Sequence, residues 1–506
     1  MKAASAFEVV AARAWNVLNE GKPFTLVFVA ALWLLWHAPA WDSLAFWKAV
    51  LGVAVAVAPL AAAVVWWDFP LHLRAFLLLP LAVSLWVYPL PPLGLVLAAL
   101  GAYGFFTVFF WGTLYYRLRI GTPWTNFTRF WKLVLKNSDS TSGNAREQIP
   151  KILLLLVACE GVYAVLAGSG LPLWNGRTFW ALHAVFTGFY AFYAWAVHRR
   201  LFTWKPAEYP RYTEMPDAAP PAVDRVYVVV IDGCRKDRLA EAHTPFLDRL
   251  AAESTVYEAM ETVYPARTVV CFSSMLTGTY PAEHGIHSNL VWRLGVRCES
   301  IFDSLRKAGK RGVLVGIAHL IDAFGDDVAS VTAVMPNDEA DGRILARARQ
   351  IVAEEDPDLL VVQLIAVDQT GHSRGPLYDE YRQKIEEADA HIAAFYEWLR
   401  AQGKLDQAVF IVCADHGQSD GIGGHAHLAE GERFVPFLVH GAGVARGKVV
   451  AEPRSLVSLA PTLAWLLRVP LPDRSRGPVL TEAFAVQSGE RVRPNGSVAS
   501  ERRTGT

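Results

Sequence analysis

Cysteine is scarce in this 506-residue chain: Cys159, Cys234, Cys271, Cys298 and Cys413 are its five, and none is close to another in sequence. That spacing excludes a disulfide-framed fold and a cysteine-type zinc site. Charge is also thin, at 19% of residues, and the formal net charge is zero. No specific nucleic-acid binding is expected. What is abundant is apolar: 53% of residues, with a mean hydropathy of +0.24. A disordered or collagen-like chain is therefore excluded. The zero net charge hides a split. Residues 1–200 carry 15 Lys+Arg against 7 Asp+Glu, and the remaining 306 carry 33 against 41. Fourteen of the 18 tryptophans also fall in the first 200 residues. An apolar, Trp-rich, basic stretch describes a membrane segment. The acidic remainder has the composition of a soluble unit large enough for a sizeable core.

Apolar runs at about 24–41, 44–66, 71–89, 91–115, 151–173 and 178–198 predict six transmembrane helices in a domain covering 1–202, since about 20 apolar residues cross a bilayer. Residues 5–19 predict a short amphipathic helix before the first span. Lysine and arginine mark alternate loops: Lys2, Arg13 and Lys22 first, then Arg117, Arg119, Arg129, Lys132, Lys136, Arg146 and Lys151, and finally Arg199, Arg200 and Lys205. Positive residues stay cytoplasmic, so both termini, and whatever follows span six, are expected on the cytoplasmic side of the cell membrane. The loop 116–150 is amphipathic around Trp124, Phe127, Phe130, Trp131, Val134 and Leu135. It reads either as an interfacial helix touching acidic lipid headgroups or as a connector packed on the soluble part. Residues 203–224, with five prolines, read as a linker, and 487–506 as a disordered polar tail.

From 225 to 486 the pattern alternates. β-branched runs at Val226–Ile231, Gly312–Ile317, Leu359–Val367, Ala408–Cys413 and Phe434–Val439 are separated by helical runs such as 379–402 and 454–468. This predicts an open α/β sheet with helices on both faces, whose ligands bind at the carboxyl ends of the strands. Those ends repeat a theme: Asp232-Gly233, then Asp368-Gln369-Thr370-Gly371-His372, then Asp415-His416-Gly417, with Gly423-Gly424-His425-Ala426-His427 downstream. Carboxylates at the ends of apolar strands are partly dry and need compensation. Divalent metals supply it, and mixed Asp/His ligation suits zinc or a similar first-row ion. A hydroxyl is also placed for chemistry. The run Pro265–Gly278 reads as a loop entering a short helix, and a hydroxyl there, such as that of Thr268, sits in the positive field of a helix N-terminus, where a neighbouring metal would activate an attacking alkoxide. Cys271, one turn on, is expected to pack inward.

In order, these pieces resemble the alkaline phosphatase superfamily, in its branch of type I phosphodiesterases and nucleotide pyrophosphatases. The matching residues are Val-Ile-Asp232-Gly, Thr268 with Leu276-Thr-Gly-Thr-Tyr-Pro-Ala-Glu-His-Gly-Ile286, Asn289, Asp368-x-x-Gly-His372, Asp415-His416-Gly417 and Leu459-Ala-Pro-Thr-Leu-Ala-Trp-Leu-Leu467. The resemblance implies an alkaline-phosphatase-like sheet and two metals about 4 Å apart, zinc or manganese. One would be held by Asp232, Asp415, His416 and the nucleophile Thr268. The other would take Asp368, His372 and a late histidine, His425 or else His427. Asn289 would bind a non-bridging phosphoryl oxygen. Two divalent ions and three carboxylates leave about one positive charge, suited to a phosphodiester. The implied activity is metal-dependent hydrolysis of a phosphodiester or nucleotide substrate by a membrane-anchored enzyme. The alternative is a phosphoethanolamine- or phosphoglycerol-type headgroup transferase acting on a lipid-linked or sugar acceptor, since those enzymes also join a membrane module to this domain. The run Val269-Val270-Cys271 departs from relatives that carry Pro or Asn there.

Overall fold

The computed structural model describes residues 24–67, 76–115, 123–128, 131, 145–168, 176–201, 206–289, 291, 293–331, 337–420, 424–426 and 429–485. The expected helix over 5–19, the tail 487–506, most of the loop 116–150 and His427 lie outside these residues.

The N-terminal region is helical. Helices occupy Phe24–Trp36, Leu44–Trp66, Leu78–Val87, Leu93–Gly104 (continued as a π-helix over Phe105–Tyr115), Ala145–Leu166 and Gly176–Leu201. Three stretches are long and apolar enough to cross a membrane: Leu44–Trp66, Leu93–Phe110 and Gln148–Leu166. Phe24–Trp36 and Leu78–Val87 are apolar but shorter. The protein is thus a membrane protein with three candidate spans among the described residues. Tyr88–Pro92 separates two of the helices, because consecutive prolines can neither donate to a helical ladder nor let the preceding residue stay helical. Within the helices Glu160 accepts from Trp33 Nε1 at 2.8 Å and pairs with His37 Nε2 at 3.0 Å.

The remainder is α/β. Its strands are β1 Arg225–Ile231, β2 Thr255–Tyr257, β3 Met260–Glu261, β4 Gly312–Ile317, β5 Val328–Val331, β6 Leu359–Leu364, β7 Ala408–Cys413, β8 Phe434–Val435, β9 Phe437–Gly441, β10 Lys448–Val450 and β11 Arg454–Ser455. Eight form one sheet in the order β10-β2-β9-β7-β1-β6-β4-β5, and β11-β3-β8 form a small second sheet. The strands β7, β1, β6, β4 and β5 run parallel, whereas β9 is antiparallel to β7. The central strands are buried, apart from Arg225 at the start of β1, which is why they read as unbroken apolar runs rather than alternating ones.

Two expectations change. The run Leu359–Val367 is strand only to Leu364, and Ala366–Arg374 is a helix. The chain turns because the buried Asp341 carboxylate accepts from the Ile365 and Ala366 amides at 2.7 and 3.2 Å. Asp368 therefore stands in a first helical turn, and His372 one turn further along the same face. The run Phe434–Val439 is split at Pro436, which lacks the amide needed to continue the ladder, so its two halves pair in different sheets. The Pro-rich linker is held at several points. Its described residues lie along the α/β region: Tyr209 N donates to Tyr280 Oη at 3.0 Å, Thr213 Oγ1 to the Gly477 carbonyl at 2.7 Å, and Trp465 Nε1 to the Ala218 carbonyl at 2.9 Å.

Candidate metal centre and nucleophile

The parallel strands deliver their carboxyl ends to one edge, and the expected residues meet there. β1 ends at Ile231, so Asp232 is the first residue past that strand, and Asp415 is the second residue past its neighbour β7. Gly233 follows with φ +68°, and a Cβ there would lie 2.6 Å from Asp368 Oδ1. Glycine at this turn is what lets Asp368 approach the β1 end.

Asp232 and Asp415 are buried, and so are Asp368, His416 and His425. Each carboxylate is steered by a neighbour. Asp232 Oδ2 accepts from Gln363 Nε2 at 2.6 Å, Asp415 Oδ1 from the Gly233 amide at 3.1 Å, and Asp368 Oδ1 from Gln418 Nε2 at 2.8 Å. The oxygens left over, Asp232 Oδ1 and Asp415 Oδ2, are buried without a hydrogen-bond partner. They lie 3.5 and 3.3 Å from His416 Nε2. His416 Nε2 is also 3.3 Å from Thr268 Oγ1. On the other side, His372 Nε2 is 3.2 Å from Asp368 Oδ2 and 3.3 Å from His425 Nε2.

Two sets of three could each hold an ion among the described residues: Asp232, Asp368 and His416, and Asp368, His372 and His425. Asp368 belongs to both, so the structure gives it a shared position where the sequence comparison assigned it to one ion. The donor set fits divalent cations on three further grounds. First, His425 Nδ1 is 2.6 Å from the Ala266 carbonyl and His416 Nδ1 3.0 Å from the Gly417 carbonyl. A carbonyl accepts only from a protonated nitrogen, so the Nε2 lone pair of each ring faces the cluster, as in metal-ligating histidines. Second, burial, reinforced by Asp415 and Asp368, pushes the Asp232 carboxyl well above its ordinary range, and burial raises Asp415 too. Third, burial, with His416 next, holds His425 well below its ordinary value and so in the neutral ligand form. For Asp368 burial works upward, but the neighbouring His372 outweighs it and the carboxyl lies below the usual range.

Thr268 is buried as the first residue of the helix Thr268–Thr277, after Arg267 in extended conformation. Asn289 Oδ1 accepts from the next amide, Val269, at 3.0 Å. Because an amide N–H is a donor, this bond fixes which end of the Asn289 side chain faces it. Cys271 is fully buried, 3.3 Å from Thr262 Oγ1, and burial pushes its thiol up, away from the thiolate form. All five cysteines are free.

Pattern reading did not single out the groups that orient the ligands. Gln363 was detectable, as the one polar side chain in the buried run Leu-Leu-Val-Val-Gln-Leu. Gln418 and Asp341 carried no local signal.

A family model described as type I phosphodiesterase/nucleotide pyrophosphatase matches residues 226–306 and 318–449. This α/β region belongs to the alkaline phosphatase superfamily. Curated relatives include the catalytic subunit of human GPI ethanolamine phosphate transferase 3, 27% identical over 305 residues, covering 55% of this chain and 27% of the relative. GPI ethanolamine phosphate transferase 2 of Aspergillus fumigatus is 24% identical over 301 residues, covering 53% and 38%. Human ectonucleotide pyrophosphatase/phosphodiesterase family member 7 is 23% identical over 252 residues, covering 42% and 52%. The chain thus spans about a quarter to a half of the length of these relatives. Among solved structures, wild-type alkaline phosphatase PafA matches with TM-score 0.45 at 12% identity, covering 53% of this chain and all of that one. Murine ectonucleotide pyrophosphatase/phosphodiesterase 5 matches with TM-score 0.41 at 14% identity, covering 49% and 96%. The superfamily is metal-dependent and acts on phosphoesters, in keeping with the Asp/His cluster.

Proposed function

We propose that this protein is a membrane-anchored, two-metal transferase that moves a phosphorylated headgroup from a phosphodiester donor to a lipid or sugar hydroxyl, through a covalent phospho-Thr268 intermediate. The observation that carries this reading is the position of the metal cluster. The helix Ala366–Arg374 bears Asp368 and His372, and at its end Arg374 Nη1 donates to Asn126 Oδ1, in the loop of the helical region, at 2.8 Å. Asp368 and Arg374 are six residues apart on that helix, about 9 Å. Tyr378, just beyond it, packs against the core of the membrane helices. A centre so close to the bilayer suits a substrate embedded in it, and the names of the ethanolamine phosphate transferases among the relatives support transfer over hydrolysis.

Asp232, Asp415, His416 and Thr268 would hold one ion, and Asp368, His372 and His425 the other, with Asp368 in reach of both. When bound, two divalent ions, zinc or manganese, acidify the Thr268 hydroxyl and offset phosphoryl charge. The residues of the chain do the rest. Thr268 Oγ1 bonds to phosphorus as the ester bond to the donor alcohol breaks, and that alcohol leaves with a proton. The N-terminal field of the Thr268–Thr277 helix favours the negative charge that develops. Asn289, turned by its bond to the Val269 amide, keeps its Nδ2 donors for a non-bridging phosphoryl oxygen. The acceptor hydroxyl then gives up its proton and bonds to phosphorus as the Thr268 Oγ1–phosphorus bond breaks.

Charge bias supports a cytoplasmic side for the loop 116–150, and its Asn126–Arg374 bond supports the same side for the α/β region whatever the number of spans.

The test follows a headgroup-labelled phosphodiester lipid with the full-length protein in lipid nanodiscs. Label appearing in an acceptor lipid or sugar is expected. Label released only as a water-soluble phosphomonoester would replace transferase with the phosphodiesterase reading that the family description favours.

A further inference from the structure

The loop that touches the metal-bearing helix has a second face. Trp124, Phe127 and Trp131 are 52%, 43% and 43% exposed. Residues 126–128 and 131 are helical. Asn126, by contrast, is 2% exposed and accepts from Arg374. The described residues therefore turn aromatic rings outward and a polar anchor, Asn126, inward, toward the helix that carries His372.

We infer that Trp124, Phe127 and Trp131 bind the surface of the bilayer, where acidic phospholipid headgroups meet the acyl chains, and that Asn126 holds the metal-bearing helix against it. Two observations select a lipid surface as the occupant. The segment is continuous with the membrane, because its loop joins the candidate spans Leu93–Phe110 and Gln148–Leu166. Its charge is complementary to acidic headgroups: Arg117, Arg119, Arg129, Lys132, Lys136 and Arg146 stand in 116–147 against only Asp139 and Glu147. Aromatic rings sit well at the headgroup level, and basic neighbours add attraction to an acidic leaflet. The inference extends the transferase reading above, since the substrate it serves is lipid-embedded.

The test uses the full-length protein in nanodiscs of phosphatidylcholine with or without phosphatidylglycerol. A benzophenone amino acid at Phe127 should form lipid adducts on illumination, enriched for phosphatidylglycerol, whereas one at the exposed Val449 should not. No lipid adducts at 127 would overturn the inference, whatever the enzyme does. Turnover gives the second readout. Lys132→Gln and Lys136→Gln should each lower kcat/KM for a lipid-embedded donor by about fivefold in acidic nanodiscs. The triple Trp124→Ala/Phe127→Ala/Trp131→Ala should lower it further. All should leave cleavage of a water-soluble chromogenic diester unchanged. Equal losses on both substrates would make the segment a structural strut and refute the surface role. A wild-type protein inactive on both substrates would count against the catalytic reading alone, and the adducts would still decide this one.

Discussion

Gly371 offers a test in which two effects of known size oppose each other. It lies inside the helix Ala366–Arg374, where alanine is ordinarily better than glycine by about 1 kcal/mol. Yet a Cβ on Gly371 would fall 1.7 Å from Gln418 Oε1 and 2.3 Å from its Cδ. Gln418 has no room to move: it is fully buried, and its amide donates to the Gly431 carbonyl at 2.9 Å. It also supplies the hydrogen bonds to Asp368 Oδ1 and to the Asp368 carbonyl, at 2.8 and 3.1 Å. Overpacking costs about 1–3 kcal/mol, and losing a bond to a buried carboxylate about 1.5–3 kcal/mol. These exceed the propensity gain, so Gly371→Ala should destabilise the α/β region by about 2–4 kcal/mol. That corresponds to a drop on the order of 10 °C for a region of this size. Metal affinity should fall about 10–100-fold, as for other ligand-orienting groups. Gly342 is the control. It too is helical, but its Cβ would meet only His391 Cε1, at 3.7 Å. Gly342→Ala should therefore raise stability by about 0.5–1 kcal/mol. Thermal melts and metal content of the two purified variants decide the matter. A Gly371→Ala protein that melts as high as wild type and keeps its metals would refute the packing argument.

Thr268→Ala should abolish turnover while both ions remain bound, since the stronger ligands are untouched; a variant keeping more than about a tenth of the rate would remove Thr268 as nucleophile. Asp232→Asn and Asp415→Asn should each lose one ion together with activity, so two ions per chain in both variants, by elemental analysis, would mean the ligand set is wrong. Burial raises the Asp341 carboxyl to about 6, above its unfolded value near 3.9. The folded state thus holds this proton more tightly, and the associated stability, about 3 kcal/mol, is present below pH ~4 and lost as pH rises through ~6. Asp341→Asn should flatten that part of the stability profile measured by denaturant unfolding, and an unchanged slope would reject the assignment. A fluorescent reporter fused after residue 486, which folds only in the cytoplasm, should light up; a dark reporter together with an active exported-phosphatase fusion would place the α/β region outside.

How far the sequence speaks depends on whether the deciding interaction is local. β1, β4 and β7 were legible because a buried parallel strand needs β-branched residues without interruption, and their ends pointed directly at Asp232 and Asp415. The end of β6 was not legible. Ile365-Ala366-Val367 continues the apolar run, and what bends it is Asp341, from a helix more than twenty residues upstream. The break at Pro436 was visible in the residue itself, but the reversal of β9 against β7 was not, because strand direction is settled by where the chain returns. The ligand residues were readable as a set of Asp and His after strands. Their arrangement, with Asp368 common to both triads and His425 tied to the Ala266 carbonyl, needed the third dimension. Gln418 stayed hidden because its importance comes from touching Gly371 and Asp368, neither of which is near it in the chain.

The Pro-rich stretch lying along the α/β region changes what kind of enzyme this would be. A domain on a loose tether searches a volume, and its rate of encounter with a membrane substrate is set by tether length. Here residues 206–224 are strapped down through Tyr209, Thr213 and Ala218, and Asn126 grips the α/β region through Arg374. Two such fixed points would give the catalytic edge one height and one heading relative to the bilayer. On the proposed function, selectivity would then arise from altitude: a reactive phosphorus would be reached when its headgroup is of the right length to lift it to that level, and lengthening the chain between span and sheet would not extend the enzyme's reach.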